Sequence, residues 1–171
     1  MTGRFVCSRC GAEHPGPPLA YSSTAPGRWF ELSDDERELS RLDGELCVID
    51  TEAGKEFYVR ANVEIAVTDR DDPLVFSAWV RLDAAAMALM IERWEHQDRS
   101  ADAAYIGTLA NDLPGYPPTI GLSTEIHTGP AGERPRAVPL PDAHPLAYDQ
   151  WEGIDPARVQ EIAEILAHPA G

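Results

Sequence analysis

From residue 57 to residue 67 every odd position is apolar: Phe57, Val59, Ala61, Val63, Ile65 and Val67. The even positions include Arg60, Asn62 and Glu64. A period of two sets one face of a strand against a core and the other against polar surroundings. The alternation resumes at Leu74, Phe76, Ala78, Val80 and Leu82, after the charged loop Asp69-Arg70-Asp71-Asp72-Pro73. The pattern predicts two strands, over 57–67 and 74–82. Shorter β-rich runs fall at 46–50, 105–109, 120–126 and 136–140. Gly54 marks a turn, and Gly129-Pro130-Ala131-Gly132 reads as the turn of a hairpin. Met87, Met90, Ile91 and Trp94 change the period to i, i+3, i+4, i+7. They predict a helix over 84–97, N-capped by Asp83, whose stripe faces the core. Val159, Ile162, Ala163 and Leu166 mark a last helix, opened by Asp155-Pro156. Ser33-Asp34-Asp35-Glu36 has the form of a capping box, starting a short helix that reaches about Leu42. Strands joined by hairpin-length links, with few and irregularly placed helices, predict an α+β fold. Its expected form is an antiparallel sheet with helices packed on one face.

The first thirty residues follow neither period. They hold Cys7-Ser8-Arg9-Cys10-Gly11 and then His14-Pro15-Gly16-Pro17-Pro18. Proline fixes φ and removes a donor, so no long helix or central strand fits. The chain therefore divides into a Cys/Gly/Pro-rich segment, 1–30, packed on a single α+β domain, 31–171. Cys7-x-x-Cys10-Gly11 has the form of a zinc knuckle, in which two thiolates grip one tetrahedral ion and a glycine allows the tight turn. Four ligands are needed, and no second Cys-x-x-Cys exists. His14 and Cys47 complete the expected set Cys7, Cys10, His14, Cys47, with His144 able to replace either of the last two. Two other readings stand beside this one. A redox pair would sit at a helix start, which the prolines oppose, and the thiols could also be unliganded.

Charge narrows the partners. The 171-residue chain has 14 basic and 29 acidic residues, a net charge of −15. Its densest basic stretch is Glu133-Arg134-Pro135-Arg136. Phosphate backbones and anionic lipids call for clustered positive charge, so neither nucleic acid nor a membrane surface is an expected partner. No apolar run approaches the ~20 residues of a membrane span. The start of the chain lacks an apolar export core, so the expected location is cytoplasmic, where thiols stay reduced.

Catalytic signals are sparse. His96, His127 and His168 form no metal-protease or triad pattern, and the chain has no phosphate-binding loop or nucleophile elbow. Arg60, Trp79, Arg134 and His144 are the candidates for a polar binding patch, against the plainer reading of a solvated strand face and a capping histidine.

The ordered set Cys7-x-x-Cys10-Gly11-x-x-His14, Leu46-Cys47-x-Ile49-Asp50, Phe57-Tyr58-Val59-Arg60 and Trp79-Val80 resembles the bacterial DUF2199 family. Tyr105-Ile106-Gly107, Leu113-Pro114-x-Tyr116-Pro117, Arg134-Pro135 and His144-Pro145-Leu146-Ala147 with Gly153-Ile154 extend the resemblance over about residues 4–165. The family is a domain of unknown function, so the resemblance implies no activity. Three functions compete on the residues alone. The first is a non-catalytic binding or interaction protein stabilised by structural zinc. The second is a zinc-dependent hydrolase with an open metal position, with His144 or Glu13 as base. The third is an acidic antidote that covers a basic protein partner.

Overall fold

The computed structural model describes residues 4–140 and 144–168. In chain order the strands are β1 (Arg4–Val6), β2 (Glu13–Pro15) and β3 (Ala20–Ser22), followed by a 3₁₀ turn at Gly27–Glu31 and α1 (Asp34–Leu39). Next come β4 (Arg41–Leu42), β5 (Leu46–Thr51), β6 (Gly54–Ile65), β7 (Leu74–Leu82) and α2 (Ala84–Glu92). The chain ends with β8 (Tyr105–Leu109), β9 (Ser123–His127), β10 (Arg136–Pro139), α3 (Pro145–Glu152) and α4 (Pro156–Ala167).

β6, β7, β8, β9 and β10 close into a five-stranded barrel. Every contact around it is antiparallel except the closure, where β10 meets β6 in parallel at Arg136 and Asn62. The Asn62 N–H donates to the Pro135 carbonyl at 2.8 Å across that seam. The expected open sheet with helices on one face is therefore wrong. The cause lies in the lengths of β6 and β7. Each is long enough to give one edge to two neighbours in turn. β6 pairs with β5 over its first half and with β10 at Asn62. β7 pairs in parallel with β3 at Val75–Ser77 and with β8 at Val80–Arg81. Period-two alternation reads the same in a sheet and in a barrel, so the pattern could not announce the closure.

The odd positions of β6 and the even positions of β7 fill the barrel, as in other small barrels whose interiors are packed solid. Val59, Ala61, Val63, Ile65, Leu74, Phe76, Ala78 and Val80 are all buried there. Part of the outer face is buried too. Cys47, Ile49, Tyr58 and Trp79 form a second core beneath Leu32, Trp29 and Leu42 from the segment before β5. That segment is pinned from several sides. The Trp79 N–H donates to Asn111 Oδ1, and Asn111 Nδ2 donates to the Ala25 carbonyl, each at 2.8 Å.

α1 packs on β5, while α2 and the α3–α4 junction lie at opposite ends of the barrel. α2 leaves β7 at Leu82 and places Met87 and Met90 in the core. The α3–α4 junction meets the opposite end, where Ile154 exchanges hydrogen bonds with Ala66 and Thr68. The expected capping box is present: Glu36 N–H donates to Ser33 Oγ, and Ser33 N–H donates to the Glu36 carboxylate. Asp83 and Asp155 cap α2 and α4 as expected. Several helical expectations fail. α1 ends at Leu39, and Arg41–Leu42 forms β4 instead of continuing the helix. α2 stops at Glu92 instead of running to 97, because Trp94 N–H turns back to the Ile91 carbonyl. Trp94 is consequently half-buried beside the helix end, and Ile91 is exposed. Leu166, expected in the core, is 43% exposed near the end of α4. Among the described residues no helix is long and apolar enough to cross a membrane.

Gly107 is the tightest point of the barrel. A Cβ there would stand 2.4 Å from the Arg81 carbonyl oxygen and 2.8 Å from Val80 Cγ1. Gly107→Ala should push β8 off β7 and destabilise the protein by about 1–3 kcal/mol, the usual cost of overpacking. Urea unfolding of the two proteins measures it. An unchanged midpoint would show that β8 can retreat freely.

Candidate metal centre

β1 and β2 pair with each other, Phe5 opposite His14, and the turn between them carries both knuckle cysteines. Cys7 N–H donates to the Ala12 carbonyl and Gly11 N–H to the Cys7 carbonyl, each at 2.9 Å. Gly11 closes the turn at φ +70°, which glycine adopts without strain. The turn folds Cys10 back toward β2, so that its sulfur lies 3.3 Å from His14 Nε2.

The hairpin then docks on α4. Ser8 donates to Glu164 through both its N–H, at 2.9 Å, and its hydroxyl. Gln160 Nε2 donates to the Val6 carbonyl at 3.3 Å and to Glu164 Oε1 at 2.9 Å. Chiefly the Ser8 hydroxyl, and then Gln160, hold the buried Glu164 carboxyl down to about 2. It is therefore a carboxylate at any ordinary pH. Docking brings in His168, which follows α4, and its ring stands edge-on to His14 with centroids 5.8 Å apart.

Donor atoms of Cys7, Cys10, His14 and His168 all lie within 4.8 Å of one another. Cys7 is buried, Cys10 exposed and both histidines half-buried. His168 Nε2 is buried with no hydrogen-bond partner among the described residues. A buried imidazole nitrogen without a partner is costly, and a metal ligand is one of the few roles that explains it. Two sulfurs and two imidazoles at this spacing suit a tetrahedral, borderline-soft ion.

The structure thus gathers three of the four expected ligands and substitutes His168 for Cys47. Cys47 belongs to β5, whose side chains at 47 and 49 face the second core beside Tyr58 and Trp79. Burial, with Asp43 and Glu56 adding to it, pushes its thiol up to about 12. His144 is elsewhere as well. It N-caps α3 by accepting from Leu146 N–H at Nδ1, and its Nε2 lies 3.2 Å from the Pro118 carbonyl. His168 forms no sequence pattern because no local spacing ties it to the knuckle: it stands 154 residues after His14.

The other expected patch residues do converge. Arg60 Nη2 and Trp79 Nε1 both donate to the Ser23 carbonyl, at 2.9 and 3.1 Å, with the guanidinium 5.7 Å from the indole. Arg134 grips Glu45 with two nitrogens and gives a third to Ser77 Oγ. Burial, and then the charge of Arg134, lowers the Arg60 pKa. Trp79 is fully buried, so its part here is to anchor.

A family model described as an uncharacterized protein conserved in bacteria, DUF2199, matches residues 6–154. No curated protein and no solved structure matches the chain. Three of the gathered donors lie inside the matched region, while His168 lies beyond it.

The environments of the thiols make a reactivity prediction. With a pKa near 12, Cys47 holds roughly one part in ten thousand of thiolate at pH 8. In metal-free folded protein, iodoacetamide at pH 8 should alkylate the exposed Cys10 well before Cys47, as peptide mass spectrometry would show. Raising the pH from 8 to 9 should speed Cys47 about tenfold, since its thiolate fraction rises tenfold per unit below the pKa. Modification of Cys47 as fast as Cys10 would contradict its burial.

Proposed function

As the chain belongs to the DUF2199 family, we propose that it is a non-catalytic binding protein in which structural zinc ties the N-terminal hairpin to the last helix. The ligands are Cys7, Cys10, His14 and His168. The observation that carries this reading is the convergence of donors from four such residues within 4.8 Å, one of which, His168, has a buried ring nitrogen with no partner among the described residues. Catalytic zinc sites keep three protein ligands and leave a position for water. Four ligands from the protein favour the closed, structural role over the hydrolase reading, and they leave ligand recognition to the clefts of the barrel. A physical motive exists as well. The paired strands β1 and β2 are three residues each, too short to hold themselves in place. A cross-link between this hairpin and α4 makes metal binding and ordering one event. Thiolate ligands also suit a reducing compartment, in keeping with a cytoplasmic location.

Protein purified without chelator should contain one zinc per chain. X-ray absorption should show two Zn–S distances near ~2.3 Å and two Zn–N distances near ~2.0–2.1 Å. Thiols and imidazoles must lose protons to bind, so zinc should be released as pH falls. Cys10→Ser and His168→Ala should each lose zinc while keeping the β-rich circular dichroism of the barrel. Cys47→Ser should keep its zinc. Content well under one zinc per chain, or zinc lost from Cys47→Ser but kept by His168→Ala, would overturn the assignment.

A further inference from the structure

Arg99 is only 3% exposed and, among the described residues, has no carboxylate bound to it. Its Nε donates to the Gly129 carbonyl at 3.1 Å and its Nη2 to the Pro130 and Glu133 carbonyls at 3.2 and 3.5 Å. Nη1 is buried with no partner among the described residues. Asp102, whose carboxylate feels the Arg99 charge, is taken up by both ends of the Arg93 guanidinium. A buried cation held by carbonyl dipoles alone, with one donor idle, lacks the anion that ordinarily accompanies it.

Arg99 lines a cleft of about 360 Å³, together with Trp94, Glu45, Glu133, Arg134 and Pro135. The volume suits a compact organic molecule. The Arg99 guanidinium lies 5.5 Å from the Trp94 ring, so an apolar wall adjoins the cation. Arg134 is committed to Glu45 and Ser77, while Arg60 behind it also binds only carbonyl oxygens. Three arginines thus share one bonded carboxylate in this corner of a chain whose net charge is −15.

We infer that the cleft binds a small organic monocarboxylate, its charged end at Arg99 and a flat apolar body against Trp94. A single negative charge is what the corner can take. Glu45 and Glu133 on the rim would repel a dianion, whereas one carboxylate offers guanidinium the planar pair of acceptors it fits best. The site shares no residue with the metal centre, so its failure would leave the zinc assignment standing, and the reverse.

Titration calorimetry of the purified protein with benzoate, acetate and inorganic phosphate tests this. Benzoate should bind one to one, at least tenfold more tightly than acetate, which lacks the apolar body, and than phosphate, which carries more charge. Arg99→Met should weaken benzoate at least tenfold, the order expected for one lost charge-assisted contact. In spectra of the unmodified protein, benzoate should shift the Trp94 indole resonance and the amides of residues 129–134. Those shifts support the site even if Arg99→Met fails to fold. Preference for phosphate, benzoate shifts confined to other regions, or a folded Arg99→Met that binds benzoate unchanged would overturn it. In the last case Arg99 serves only to hold the 129–133 turn.

Discussion

The structure hangs on the nine-residue antiparallel register of β6 and β7, from Phe57 opposite Leu82 to Ile65 opposite Leu74. One face of this pair fills the barrel and the other carries Tyr58 and Trp79 into the second core. A one-residue slip would exchange the two faces, sending Arg60 and Asn62 inward and the valines outward. The free edges of the same pair accept β3, β8, β5 and β10, so closure also depends on this register. Sealing the edges has a further consequence: the ribbon offers few open backbone groups to other chains.

Against that rigid centre, the Cys/His cluster joins the N-terminal hairpin to the end of α4, whose Val159 and Ile162 pack into the main core. β1 and β2 pair only with each other, and His168 follows the last helix. Ser8, Gln160 and Glu164 align the hairpin on α4 before any ion is considered. Such preorganisation lowers the entropy that ligand assembly must overcome, because two segments far apart in sequence are already in register. The folded hairpin and the four donors are therefore parts of one arrangement.

Arginine has two different uses in the molecule. Arg93 and Arg134 are each gripped by a carboxylate and act as cross-links. Among the described residues, Arg60 and Arg99 are hydrogen-bonded by backbone carbonyls alone, and each keeps one buried nitrogen without a partner. Burying a cation without an anion is destabilising, and the ordinary compensation is a ligand or a close network. In Arg60 the network is visible, through Trp79 and Ser23. Arg99 has the cleft.

Much of this protein was legible along the chain. β7, β8 and α4 fall where period two and period 3.6 place them, because burial of one face is a local demand that each segment answers separately. Ser33, Asp83 and Asp155 cap their helices because a cap needs only its own first turn. Cys7, Cys10 and His14 were legible for the same reason: one tight hairpin sets their spacing. Closure of the barrel was not, since it depends on which edge meets which, and alternation carries no record of that. Nor was the exchange of Cys47 for His168. Both are chemically able ligands, and only the packing of α4 against the hairpin, with β5 turning Cys47 into an apolar core, decided between them.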